Sequence, residues 1–105
     1  MENKFRVNDL VDFYGALLTE KQREIAGYYY KEDFSLLEIS EITGSSRAAV
    51  HDMIKRIRNE LEKYEASLHM LEAYEKRRGI YEKIRALGNE KIDLLIDQLI
   101  ETEIS

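Results

Sequence analysis

Two serine caps separated by a glycine turn constrain this chain more than any other feature. Ser35-Leu36-Leu37-Glu38 has the capping-box pattern, in which the serine hydroxyl and the glutamate three residues on satisfy orphan amides at a helix start. The helix it opens runs about two turns, to Ile42. Thr43-Gly44-Ser45-Ser46 then supplies a glycine for a tight turn and a serine cap for a second helix. Short helix, glycine turn and longer helix together read as a helix-turn-helix. From Val50 the apolar residues fall at Ile54, Ile57, Leu61, Tyr64, Leu68 and Leu71, in alternating steps of four and three. That spacing is a heptad seam of about three repeats.

The seam predicts one long helix from Ser46 to about Arg78, roughly 50 Å at 1.5 Å per residue, with Gly79 as its end or kink. A compact monomer of 105 residues cannot cover that length. The seam (Ile57, Leu61, Tyr64, Leu68, Leu71) therefore packs either on other helices of the same chain or, the favoured reading, on a second copy in a homodimer. Glu60, Glu62, Lys63 and Glu65 would flank that contact. Beyond it, Ile80, Ile84 and Leu87 form one stripe, and Gly88-Asn89 reads as a stop followed by a new cap. A last helix presents Ile92, Leu95, Ile96, Leu99 and Ile100. Upstream, Asn8 is positioned to cap a first helix with Leu10, Phe13, Tyr14, Leu17 and Leu18 on one face. Thr19 to Gln22 is a second capping box, followed by Ile25, Tyr28 and Tyr29 on an apolar face and by a Lys31-Glu32-Asp33 loop. Tyr28, Tyr29 and Tyr30 cannot all face one side of a helix, so at least one should be exposed or at an interface. The expected architecture is all-α: residues 1–58 a helix-turn-helix unit, residues 59–105 an extended helix and C-terminal helices for packing or dimerisation, in one continuous domain.

The absence of proline agrees with that fold, and the absence of cysteine excludes disulfides and thiolate metal sites. The first residues, Met1 to Asn8, are polar and no apolar run approaches a membrane span, which predicts a soluble, unprocessed, cytoplasmic protein without membrane insertion. A net charge of -5 argues against an indiscriminate polyanion binder. The distribution of charge alters that conclusion. Residues 42–59 carry four bases and one acid, and residues 76–92 six bases and two acids. Two basic islands thus stand in an acidic chain, one on the second helix of the motif and one beginning at Lys76, Arg77 and Arg78.

In a helix-turn-helix the second helix enters the major groove by its N-terminal turns while its inner face holds the first helix. Val50 and Ile54 would face inward. Ser46, Arg47, Ala48, His51, Asp52 and Lys55 would face outward, with Arg56 beside them. Arg47 would read guanine or a phosphate, Ser46 a phosphate, and Lys55 and Arg56 the flanking backbone. Asp52 opposes phosphate but can accept from a cytosine amine. Ala48 and Ala49 leave few side chains long enough to reach base edges, and Thr43 and Ser45 stand where this turn is commonly apolar. The Lys76-Arg77-Arg78 island is either a solvated face or a second contact with nucleic-acid backbone.

The run Leu18-Thr19-Glu20-Lys21-Gln22-Arg23-Glu24, with Tyr28-Tyr29-Tyr30, Phe34-Ser35-Leu36, Glu38-Ile39-Ser40 and Gly44-Ser45-Ser46-Arg47-Ala48-Ala49-Val50, resembles region 4 of bacterial sigma factors. More closely, Asn8-Asp9-Leu10-Val11-Asp12-Phe13-Tyr14, Ser46-Arg47-Ala48-Ala49-Val50-His51-Asp52 and Leu61-Glu62-Lys63-Tyr64-Glu65 resemble the YlxM family. These are small bacterial helix-turn-helix proteins encoded beside signal recognition particle components. The resemblance implies a regulatory or accessory role in that particle's pathway, with DNA, the particle's RNA or its GTPase as the partner. It also implies that the side chains facing nucleic acid are those matching Arg47, Ala48, His51, Asp52 and Lys55. Thr43 and Ser45 depart from the sigma pattern, which bears on promoter-type DNA recognition more than on the fold.

His51 and His69 lie too far apart on one helix to share a metal. No nucleophile elbow, phosphate loop, metal-ligand cluster or serine-histidine-acid set is present. The expectation is a binding protein without cofactor or catalysis. Its role is that of a particle-pathway factor, a dimeric DNA-binding transcription regulator, or an adaptor using no nucleic acid.

Overall fold

The computed structural model describes residues 3–103; the first residues of the polar N-terminal stretch, Met1 and Glu2, and positions 104 and 105 lie outside the described residues. The protein is all-α, with six α-helices in the described residues. The chain forms two units, one closing at Leu71 and the other opening at Glu72.

In the first unit, α1 (Lys4–Tyr14) starts at Asn3, whose side chain accepts from the Arg6 N–H at 3.2 Å. Asn8, expected as the cap, is interior to the helix. The earlier start adds Val7 to Leu10 and Tyr14, and the three form one buried stripe. A 3₁₀ turn, Gly15–Leu17, follows and turns Leu17 outward while Leu18 stays buried. The Arg23 guanidinium donates to the carbonyls of Gly15, Ala16 and Leu18 at 3.2 to 3.4 Å, tying α2 to the 3₁₀ turn and the residue that follows it.

Helix α2 (Glu20–Ala26) opens on the expected capping box and runs into a π-helical turn, Gly27–Lys31. That wider turn accommodates the three tyrosines. They do not share one environment: Tyr30 is buried, whereas Tyr28, stacked on Phe34, and Tyr29, edge-on to Tyr30, are half-buried. Helix α3 (Leu36–Thr43) has both capping-box bonds, at 3.0 and 3.1 Å, and seats Ile39 in the core. Helix α4 (Arg47–Leu68) supplies the central stripe of Val50, Ile54, Ile57 and Leu61, all buried. It packs against α1, α2 and α3.

The long helix does not continue to Arg78. It ends at Leu68, and His69 is left-handed at φ 53°, a conformation costing a non-glycine residue about 1–2 kcal/mol. Helix α5 (Met70–Arg85) starts at once, with Gly79 inside it. A buried side-chain cluster supports the break. Glu65 accepts from the Tyr14 hydroxyl at 2.6 Å and from the Leu71 N–H at 3.0 Å, while the Tyr14 oxygen accepts from the Met70 N–H at 3.0 Å. The first amides of α5 thus find acceptors, and a carboxylate sits at the positive end of that helix. Helix α4 is only about 33 Å long, short enough for α1, α2 and α3 to cover most of its apolar stripe without a second copy. Ile57, Leu61 and Leu71 are core of the first unit, Tyr64 is half-buried beside Tyr14, and Leu68 faces solvent.

In the second unit, α5 and α6 (Glu90–Glu103) are joined by a turn with Gly88 at φ 70°. Asn89 accepts from the amides of Lys91 and Ile92, the cap its sequence predicts. Arg77 and Tyr81 both donate to Glu103, and Arg85 to Asp97, so the two helices run antiparallel.

Candidate nucleic-acid interface

The turn between α3 and α4 is built by side chains that hold its backbone. Gly44 is left-handed at φ 76°, and its N–H closes α3 onto the Ser40 carbonyl. Thr43 donates to the Ile39 carbonyl at 2.8 Å and accepts from the Ser45 N–H at 3.3 Å. The hydroxyl at 43, an oddity by the usual apolar pattern, fastens the turn. Ser46 caps α4 by accepting from the Ala49 N–H at 3.1 Å. Its side-chain oxygen is therefore occupied as a cap, and its hydroxyl hydrogen is left to donate outward.

With Val50, Ile54 and Ile57 fixing the inner face, the outer face follows from 100° per residue. Ser46, Arg47, Ala48, His51, Asp52, Lys55 and Arg56 are all exposed. Arg47, Ala48, His51 and Asp52 line one open groove with Leu36 of α3, about 490 Å³ in volume. Lys55 extends this face by one turn. Arg56, nine residues from Arg47, projects about half a turn away and flanks the opposite side. His51 Nδ1 lies 3.8 Å from a carboxylate oxygen of Asp52. Arg47, Lys55 and Arg56 have no ion pair among the described residues, so three cations stand uncompensated around one acid. The two alanines lower the surface between them and allow close backbone approach. Chemically, cations beside small side chains can meet a phosphate backbone more readily than base edges.

The second basic island is arranged differently. Lys76 pairs with Glu72 at 3.3 Å, Arg77 with Glu103 at 2.7 Å, and Arg78 lies over the Tyr74 ring at 5.7 Å. Each of these charges has a partner inside the second unit. The run of like charges that made them conspicuous carries no information about these partners, which come from one turn upstream or from α6.

Among the described residues no group of three His, Cys, Asp or Glu side chains is placed to hold a metal ion, and no helix is long and apolar enough to cross a membrane.

Capped α3, glycine turn and α4 with an exposed first turn define a helix-turn-helix protein. The chain belongs to the family UPF0122, described as "Putative helix-turn-helix protein, YlxM / p13 like", whose model matches residues 1–100. It is 41% identical over 111 aligned positions to a UPF0122 protein of Clostridium perfringens, covering all of this chain and 99% of that one. It is 50% identical over 91 positions to one of Pediococcus pentosaceus, covering 87% of this chain and 80% of the relative. To one of Oceanobacillus iheyensis it is 45% identical over 91 positions, covering 87% of each.

Proposed function

We propose that the protein is a non-catalytic, cytoplasmic accessory or regulatory factor of the signal recognition particle pathway that binds nucleic acid through the first turns of α4 and acts as a homodimer. The single observation that carries nucleic-acid binding is the pair Arg47 and Lys55, without ion-pair partners among the described residues, on the exposed outer face of α4, with Arg56 flanking it, in a chain of net charge -5. The pathway assignment rests on the YlxM resemblance. Within it, the low alanine surface and Asp52 favour contact with backbone and shape, and so the particle's RNA ahead of a base-specific operator. In this role Ser46, Arg47 and Lys55 contact phosphate, Ala48 permits close approach, and His51 and Asp52 set local discrimination. Lys76, Arg77 and Arg78 form a secondary patch, weakened by the partners each already has.

A dimeric DNA-binding transcription regulator is the second reading. The full exposure of the α4 N-terminal turn, which a major groove admits, favours it. A salt-dependent titration against the particle's RNA, its GTPase and random duplex DNA separates the readings. Selective RNA binding with a steep salt slope is expected. Binding to the GTPase alone would transfer the role to a protein contact, and equal affinity for RNA and random duplex would remove the pathway assignment.

A further inference from the structure

The groove at the start of α4 holds chemistry that a phosphate backbone does not use. Leu36 of α3 and Ala48 line it with apolar surface, and the His51 ring and the Asp52 carboxylate complete it beside Arg47. At 100° per residue Arg47, His51, Ala48 and Asp52 follow one another across about 140° of the outer face, with Asp52 farthest from Arg47. A phosphate is drawn to Arg47 and Lys55 and repelled by Asp52. The acid therefore calls for a ligand group that donates. His51 Nδ1 lies 3.8 Å from an Asp52 carboxylate oxygen, and the two side chains are 64 and 76% exposed, so neither packs the fold. A flat group laid on the imidazole brings its rim within reach of the carboxylate. The groove, about 490 Å³ in volume, has room for such a group.

We infer that this groove takes one unpaired guanine of a single-stranded segment, stacked on His51 against Leu36 and Ala48, with its Watson–Crick edge on Asp52. The inference rests on the nucleic-acid reading proposed above and names the ligand of that same surface. Base edges of a duplex lie deep in a groove, where the short side chains at 48 and 49 do not reach them. A base turned out of its stack comes to the protein instead, and ring stacking with hydrogen bonds to the Watson–Crick edge is how unpaired bases are held. The carboxylate then selects among bases. Guanine presents two neighbouring donors on that edge, N1–H and the N2 amine, which match the two oxygens of an ionised carboxylate. Adenine and cytosine each set one amine beside a ring-nitrogen acceptor, and uracil sets one N–H between two carbonyls. Each of these three turns a lone pair toward Asp52. Arg47, about 7.5 Å back along the axis, is placed for the phosphate on one side of the base, and Lys55, one turn beyond His51, for a phosphate on the other. An acid among three cations weakens binding to any polyanion; here it supplies selectivity in return.

The test is fluorescence anisotropy of the full chain with labelled uridine strands carrying one central guanosine, adenosine, cytidine or inosine, at ~50 mM salt. The guanosine strand is expected to bind roughly tenfold more tightly than the adenosine and cytidine strands. Inosine, which keeps N1–H and lacks the N2 amine, is expected between them. Asp52→Asn is expected to erase the guanosine preference and to raise affinity for the adenosine and cytidine strands, at unchanged helical content. Deoxyribose copies of the strands assign the source: a preference in the ribose set places the guanine in RNA, and a preference in the deoxyribose set alone places it in DNA. Equal affinity of the parent for all four strands would overturn the inference, and so would an Asp52→Asn variant whose affinity rises uniformly over all four, the result of charge without base contact. A parent that binds all strands alike, and more tightly than Arg47→Ala/Lys55→Ala, defeats only the guanine site. A parent that binds none of them defeats the nucleic-acid reading as well.

Discussion

Replacing Tyr14 by phenylalanine removes one oxygen from the most consequential polar cluster of the fold. The hydroxyl is fully buried, donates to the Glu65 carboxylate at 2.6 Å and accepts from the Met70 N–H at 3.0 Å. Its loss deprives a buried carboxylate of a donor, worth about 1.5–3 kcal/mol, and strands a backbone amide at about 1 kcal/mol or more. The expected destabilisation is about 2–4 kcal/mol, or on the order of 10–25 °C in the melting temperature of a unit this size. Urea unfolding followed by helical circular dichroism measures it, with Tyr64→Phe as the control, since that half-buried ring has no hydrogen bond among the described residues. Burial, and next the adjacent Glu65 carboxylate, raise the Tyr14 phenol above its ordinary value of 10.0. A raised native value means stability that is complete below pH 10 and lost as pH climbs through the native titration. The phenylalanine variant should lack that alkaline loss. A change below about 0.5 kcal/mol, or an unchanged alkaline profile, would refute the role given to the cluster.

Gly44→Ala puts a side chain at φ 76° and should cost about 1 kcal/mol in urea unfolding. Ser46→Ala removes the α4 cap and should cost about 1 kcal/mol while lowering nucleic-acid affinity slightly. Ile39→Ala empties a fully buried position where α3 meets α4 and should cost about 2–5 kcal/mol. Arg47→Ala with Lys55→Ala should leave melting within about 0.5 kcal/mol of the parent and reduce the salt slope of nucleic-acid binding by about 2.

What the residues disclose follows from how local each cause is. Capping boxes at Thr19 and Ser35, the Ser46 cap and the Gly44 turn are settled by side chains three or four residues apart, and all four stand where the sequence places them. The inward set Val50, Ile54, Ile57 and Leu61 follows from period alone. The end of α4 was hidden because its cause is Tyr14, about fifty residues upstream, while the heptad spacing runs on in register through His69. One signal was available: Glu65 adjoins Tyr64 on the seam, and a carboxylate beside a core stripe needs donors. The start of α1 was misplaced because Asn3 and Asn8 are equally good caps, and only the burial of Val7 decides between them. On the interface, exposure and register were legible. The partners of Lys76, Arg77 and Arg78 were not, because two of them lie on the same helix and Glu103 lies on another.

If the outward face of α4 holds nucleic acid, its exposed cations carry the binding. Titrating the full chain, parent and Arg47→Ala/Lys55→Ala variant in parallel, against the particle's RNA between ~50 and ~200 mM salt tests that directly. Parent binding is expected to weaken steeply with salt, and the variant to show lower affinity and a shallower slope at unchanged helicity. Parent and variant binding alike, or a parent that binds no nucleic acid at low salt, would contradict this reading.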